Sequence, residues 1–366
     1  MSTPHISSIL MKKNIFLSLL FFSIFSFNLS ASEEEGSFNA GKMIMHHIAD
    51  AHEIHLIGDF SIYLPVIISG DDGFDVFSSS NFYHNPKSLV TESGEAVSYY
   101  QHEDYILYHE HIYHAEDGLK LDENGEALNR AVALDLSITK SVAGIFLVLL
   151  IMLLLFGTSA RKYKKNGMVA PSGLQSFLEP LILFVRDDIA RPSIGPKADR
   201  FVPFLLSVFF FIWISNLLGL IPFIGGFNIT GTLSVTLVLA AFVFILTSIR
   251  GNKHYWGHIL WPPHVPTPIK FILVPIEFLG VFIKPIVLMV RLTANITAGH
   301  IILLAFVSLV FIFGQAAPAV GYGVGVGSVL FLIFMFFIEL LVVFLQAYVF
   351  TLLAALYFGA AVEEAH

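Results

Sequence analysis

The chain has 366 residues, 55 % of them hydrophobic, only 13 % charged, and none of them cysteine. Soluble domains carry about 25 % charge. With a mean hydropathy of +0.75, the composition excludes an ordinary soluble enzyme, a disordered chain and a nucleic-acid binder, and the missing cysteine excludes a disulfide scaffold and thiol chemistry.

The net charge of −8 is unevenly spread. Residues 33–135 hold 20 acidic and four basic residues; from Lys140 onward there are 14 basic and eight acidic ones. The acidic and the apolar segments therefore belong to different surroundings.

The N-terminus reads as a signal peptide over residues 1–31: Lys12 and Lys13, an apolar run at 15–29, then the small residues Ser30 and Ala31 before Ser32. A basic start, a short apolar core and a small-residue cleavage site are its three parts. Met11 is an alternative start.

Residues 32–136 form the acidic segment, expected to be extracytoplasmic, β-rich and off any ion path. Short β-branched runs at 52–56 and 61–69 lie among turn signals at 70–73 and 122–125. It carries nine of the 15 histidines. None falls in a clean metal-ligand spacing, so they are expected to be solvated on an acidic surface.

The membrane part, residues 137–366, opens with an apolar run at 142–156, closed by Arg161, Lys162, Lys164 and Lys165. Excess Lys and Arg mark the cytoplasmic side. Residues 172–200 are amphipathic and suit a cytoplasmic interfacial segment. A second span at 201–221, a third at 232–249 and the basic Arg250 and Lys253 keep the same sidedness. The stretch 269–313 is far longer than the ~20 residues that cross a bilayer. A Gly- and Ala-rich turn at 314–327 and a last helix at 328–358 complete a hairpin expected to tilt or bend. The predicted fold class is an all-α polytopic membrane protein with five membrane helices and a long tilted C-terminal hairpin, beside the small β-rich extracytoplasmic domain.

Lys270, Glu277, Lys284 and Arg291 recur every seven residues. Each step drifts only about 20° around a helix, so they form one stripe, and Asn295 continues it. A charge at the bilayer centre costs roughly 2.5–3.5 kcal/mol. Lys270, near the helix start, can snorkel; Arg291 cannot, being about 20 residues in from either end of the stretch. His300, nine residues beyond Arg291, faces the other side of the helix. On the last helix Glu339 and Gln346 are again seven apart. In an antiparallel pair, Asn295, His300 and Glu339 fall on one side of Arg291 and Glu277 on the other. His and Glu exchange protons, whereas Arg stays charged and separates the two groups.

The run Arg291-Leu292-Thr293-Ala294-Asn295-Ile296-Thr297-Ala298-Gly299-His300 resembles the signature of the F-type ATP synthase subunit a family. Pro275-Ile276-Glu277-Phe278 with Lys284-Pro285, Leu345-Gln346-Ala347-Tyr348-Val349-Phe350, and Asn216-Leu217-Leu218-Gly219-Leu220-Ile221-Pro222 resemble its other helices. The likeness covers residues 137–366 and excludes residues 32–136, since family members have only a few tens of residues before the first span.

What the resemblance implies is a stator subunit in a bacterial inner membrane, beside a ring of c subunits and the peripheral-stalk subunit b. It implies no turnover of its own and no cofactor or metal. The residue matching Arg291 would face the ring carboxylate between two half-channels. The outer one would use Asn295, His300 and Glu339 and the inner one Glu277, with Gln346 near Arg291 and Lys284 and Asn216 in support. In many bacterial members the His300 and Glu339 positions hold Glu and His; here they are exchanged. The other reading from the residues is a self-sufficient channel or secondary transporter, which would favour broken helices and internal symmetry.

Overall fold

The computed structural model describes residues 40–363, apart from 42–43, 45–47, 56–59, 71–72, 85, 91–95, 116, 124, 168–169, 222–225, 264 and 317. The expected signal peptide lies outside the described residues. All the described residues belong to one contact unit, Ala40–His366.

The N-terminal part is built from short antiparallel strands. β1 (Glu53–His55) pairs with β2 (Ser61–Tyr63), and β3 (Pro65–Gly70) with β4 (Gly73–Ser78) in register from Pro65 opposite Ser78 to Gly70 opposite Gly73. After a one-turn helix α1 (Ser80–Tyr83), β5 (Pro86–Val90), β6 (Ala96–His102), β7 (Tyr105–Tyr108) and β8 (His111–His114) form a meander in sequence order. Val66, Ile68, Phe82, Tyr105, Leu107 and Ile112 make its core.

The expectation of solvated histidines holds for His55, His84, His109 and His111, which are exposed, and is corrected for His52, His102 and His114. His52 is 1 % exposed, His114 is also buried, and the His102 ring packs 5.0 Å from Phe77. In so small a domain the flat imidazole ring serves as core filler. Among the described residues no group of three or more His, Asp and Glu is arranged to hold a metal.

This domain is joined to the first long helix by hydrogen bonds. α2 (Lys140–Asn166) begins with Asp50 acting as a cap from ninety positions upstream. Asp50 accepts from the Ser141 amide at 2.8 Å and from the Thr139 hydroxyl at 2.9 Å, and Ala51 O accepts from the Lys140 amide at 2.8 Å. Upstream of the helix, Leu136 and Ile138 donate to Ile67 and Pro65 on β3. Within the domain, the Tyr83 phenol is pushed up by burial first and then by Glu110 and Glu53. Removal of a helix cap costs about 0.5–2 kcal/mol. Asp50→Ala is expected to lower the melting temperature of the purified protein and to expose the 130–141 segment to protease. Unchanged cleavage there would show that the cap does not hold the junction.

α3 (Leu174–Leu183), a π-helical turn Phe184–Ala190, α4 (Arg191–Ile194) and a 3₁₀ turn Gly195–Arg200 follow. Val185, Ile189 and Ala190 are fully buried, so the segment is more than an interfacial strap. Its polar side carries Asp187, which accepts from Arg186 at 2.8 and 2.9 Å and from Arg191 at 2.7 Å. Those hydrogen bonds hold its carboxyl below the usual carboxylate range.

α5 (Val202–Gly219), α6 (Leu233–Arg250), the short α7 (Lys253–Leu260), α8 (Thr267–Ala316) and α9 (Pro318–Val362) complete the chain. Five of these helices (α2, α5, α6, α8 and α9) are long and apolar enough to cross a membrane. α5 is the most enclosed: Leu205, Phe209, Phe210 and Ile212 are fully buried. Phe209 meets Phe210 at 5.3 Å and Phe344 at 5.9 Å. Such ring pairs, each worth about 0.5–1.5 kcal/mol, matter where lipid supplies no hydrophobic drive between helices.

The expected turn at 314–327 is corrected. Helix continues to Ala316 and resumes at Pro318. Glycine lowers helix propensity in water, but glycine lets helix backbones approach closely. Gly321 packs directly on Gly314, and a side chain at Gly325 would meet Val310. Further along, Phe306 stacks on Phe331 at 3.9 Å. As position rises along α8 it falls along α9.

Candidate functional site

α8 carries the heptad stripe because its apolar sequence holds helix through Pro275 and Pro285. Lys270 Nζ lies 4.5 Å from the Trp261 ring centre. Glu277 is half-buried, and Lys284 sits 5.7 Å from the Tyr357 ring centre. Arg291 and Asn295 are exposed on the helix surface. Arg291 forms no hydrogen bond and no ion pair among the described residues. Beside Lys284, a cavity of about 20 Å³ is lined by Thr247, Ser248, Tyr255 and Tyr357. That is room for about one water, and Ser248 Oγ is buried without a partner.

The opposite side of α8 is packed. His300 Nδ1 lies 3.0 Å from Ile296 O, and Nε2 lies 3.3 Å from Gly219 O on α5. One turn before Gly219, Asn216 is buried and accepts a hydrogen bond from the Thr230 hydroxyl. Asn216 Nδ2, Ser215 Oγ and Asn228 Oδ1 are buried without partners in the same region. On the next turns Thr293 Oγ1 lies 2.6 Å from Thr236 Oγ1 and Thr297 donates to Gly231 O.

Glu339 is 8 % exposed and comes from α9. It lies over Gly299: a side chain there would begin 2.5 Å from Glu339 Oε1. No hydrogen bond joins Glu339 to His300 among the described residues; Glu339 reaches from α9 over Gly299, the residue of α8 that precedes His300. Seven residues along each helix from the Gly299–Glu339 contact, Gln346 comes level with Leu292, beside Arg291. Gln346 is 9 % exposed. Gly299→Ala is therefore expected to displace the Glu339 carboxyl and to lower the melting temperature, with an overpacking cost of about 1 kcal/mol. Gly280→Ala, which meets nothing within 4 Å on the same helix, serves as the control and leaves the melting temperature unchanged. Equal melting temperatures in both variants would refute the contact.

Sequence reasoning placed Arg291, Glu277, Asn295, His300, Glu339 and Gln346 on these helices but missed Thr230, Asn228, Ser215, Tyr357 and the Thr236–Thr293 pair. The readable signal was weak: single uncharged polar residues within apolar runs.

Apolar helices with ionisable side chains held at mid-length define a polytopic membrane protein. The chain belongs to the ATP synthase A chain family, whose model matches residues 142–359. A separate domain of unknown function matches residues 43–136. The chain is 41 % identical over 239 residues to ATP synthase subunit a of Chlorobium phaeobacteroides (strain DSM 266), covering 63 % of this chain and 67 % of that protein. It is 42 % identical to that of Pelodictyon phaeoclathratiforme (63 % and 68 %) and 38 % identical to that of Anaeromyxobacter sp. (69 % and 63 %).

Proposed function

We propose that this chain is the proton-translocating stator subunit of an ATP synthase, with Arg291 facing the carboxylates of a c-ring. The observation that carries this reading is Arg291 itself: a permanent cation, exposed on an apolar helix and without an ion pair among the described residues. Such a charge is tolerated in a membrane where an opposite charge or water reaches it, and a passing ring carboxylate supplies one.

Two polar routes flank it. The outer half-channel runs past Glu339, His300 and Asn295, with Asn216 and its partner Thr230 behind them. The inner one starts near Glu277, and the small cavity at Lys284, Tyr357 and Ser248 extends it toward Arg291. Gln346, level with Arg291, orients the guanidinium or the incoming carboxylate. Because the guanidinium keeps its proton, the two routes never join into one wire, and protons cross only on the ring. α8 and α9 form the tilted hairpin that wraps the ring. The β-rich domain lies outside the cytoplasm, and the peripheral stalk subunit b holds the assembly static.

The competing reading is a self-sufficient channel or transporter. The purified chain and the whole complex, each reconstituted in vesicles, separate the two. ATP-driven acidification by the complex and no steady proton flux through the chain alone is the expected pair of results. Sustained flux through the chain alone would overturn the stator reading.

A further inference from the structure

A second polar feature lies away from the proton stripe. Where α5 begins and α6 and α9 end, a cavity of about 210 Å³ is lined by Lys197, Arg200, Phe201, Leu246 and Arg250. Three of its residues are cationic and none is acidic. The contrast with the neighbouring arginines is informative. Arg186 and Arg191 are both neutralised by Asp187, and Arg191 also approaches Asp199 at 3.7 Å. Arg200 and Arg250 have no such carboxylate among the described residues. Lys197 reaches the rim with a hydrogen bond to Val362 O at 3.3 Å.

The chemistry and the location together narrow the occupant. Guanidinium forks match phosphate oxygens bidentately, and basic pockets between membrane helices bind acidic headgroups. An apolar track leads away from the cavity along α6, where Phe242, Ile245 and Ile249 are exposed within about two turns of Arg250. A soluble oxyanion has no use for such a track; an acyl chain does. We infer that this cavity binds the phosphodiester headgroup of an anionic phospholipid, with one acyl chain lying along α6, as a structural lipid where α5, α6 and α9 meet. The inference is independent of the proton path.

The test uses the purified, delipidated ATP synthase complex and isotope-labelled phosphatidylglycerol, with labelled phosphatidylcholine as the reference. Wild-type complex is expected to retain phosphatidylglycerol in preference to phosphatidylcholine. The Arg200→Gln/Arg250→Gln variant should lose about tenfold or more in that affinity, since each basic group near a membrane contributes about fivefold. Lys162→Gln/Lys165→Gln, equally charged but remote from the cavity, should retain it. If the Gln variant does not assemble, Arg200→Lys/Arg250→Lys keeps the charge, removes the fork, and should bind with intermediate affinity. Equal retention of both lipids by wild type, or Lys variants that bind like wild type together with Gln variants that do the same, would overturn the proposal. Displacement of the labelled lipid by millimolar inorganic phosphate would assign the cavity to a soluble anion and overturn the lipid assignment.

Discussion

Arg291→Lys abolishes ATP-linked proton pumping in complexes that still assemble; the expected fall is at least about 10²-fold, the loss typical of removing a preorganised charge from the point where it acts. Lysine keeps the formal charge but not the chemistry. Its ammonium is a compact, strongly hydrated point charge that gives up its proton when desolvated, whereas the guanidinium holds its charge and offers a broad fork. At a position exposed on an apolar helix, a side chain that can be deprotonated would join the two proposed routes instead of separating them. Pumping is read as vesicle acidification per assembled complex, with ATP hydrolysis measured alongside. Near wild-type acidification by Arg291→Lys complexes would remove Arg291 from the centre of the mechanism.

Replacement of either His300 or Glu339 by Leu should lower outer proton access by roughly 10²–10⁴-fold, the usual contribution of a positioned proton-transfer group. The two should also couple. Glu339 lies over Gly299, the residue before His300 on α8, while His300 itself reaches Gly219 O on α5, without a direct hydrogen bond between them among the described residues. The exchange His300→Glu/Glu339→His should restore more flux than either single change retains, with an interaction energy of about 0.5–3 kcal/mol in a double-mutant cycle. Losses that add strictly would show that each acts alone.

Much of the membrane architecture was legible because lipid leaves the backbone few options: an apolar run of 18 or more residues must bond internally, so it is helix. The heptad spacing from Lys270 to Arg291 was legible for a related reason, since nothing but a shared face keeps charges in register through so apolar a sequence. The glycine-rich stretch after Phe313 misled because its residues signal a turn in water and close helix contact in lipid. α7 escaped notice because eight residues between two spans show little periodicity; its start rests on the Asn252 side chain accepting from the Tyr255 amide. Local patterning also cannot reveal partners such as Asn216 with Thr230 or Thr236 with Thr293, which depend on how α5, α6 and α8 pack. His52, His102 and His114 were misread because burial of an imidazole leaves no trace in a charge-rich sequence.

The cap that Asp50 places on α2 has a consequence for how such chains can be recombined. The family match begins at residue 142, and a graft made at that boundary would cut between a helix and the residue that finishes it. Asp50, Ala51, β3 and residues 134–141 form one interleaved module with the helix start. A chimera that inherits α2 without this module starts its first long helix with unsatisfied amides at Lys140 and Ser141. The exchangeable cassette is therefore residues 50–141 taken whole, together with Thr232, whose hydroxyl meets that of Ser141 at 2.9 Å across the bundle.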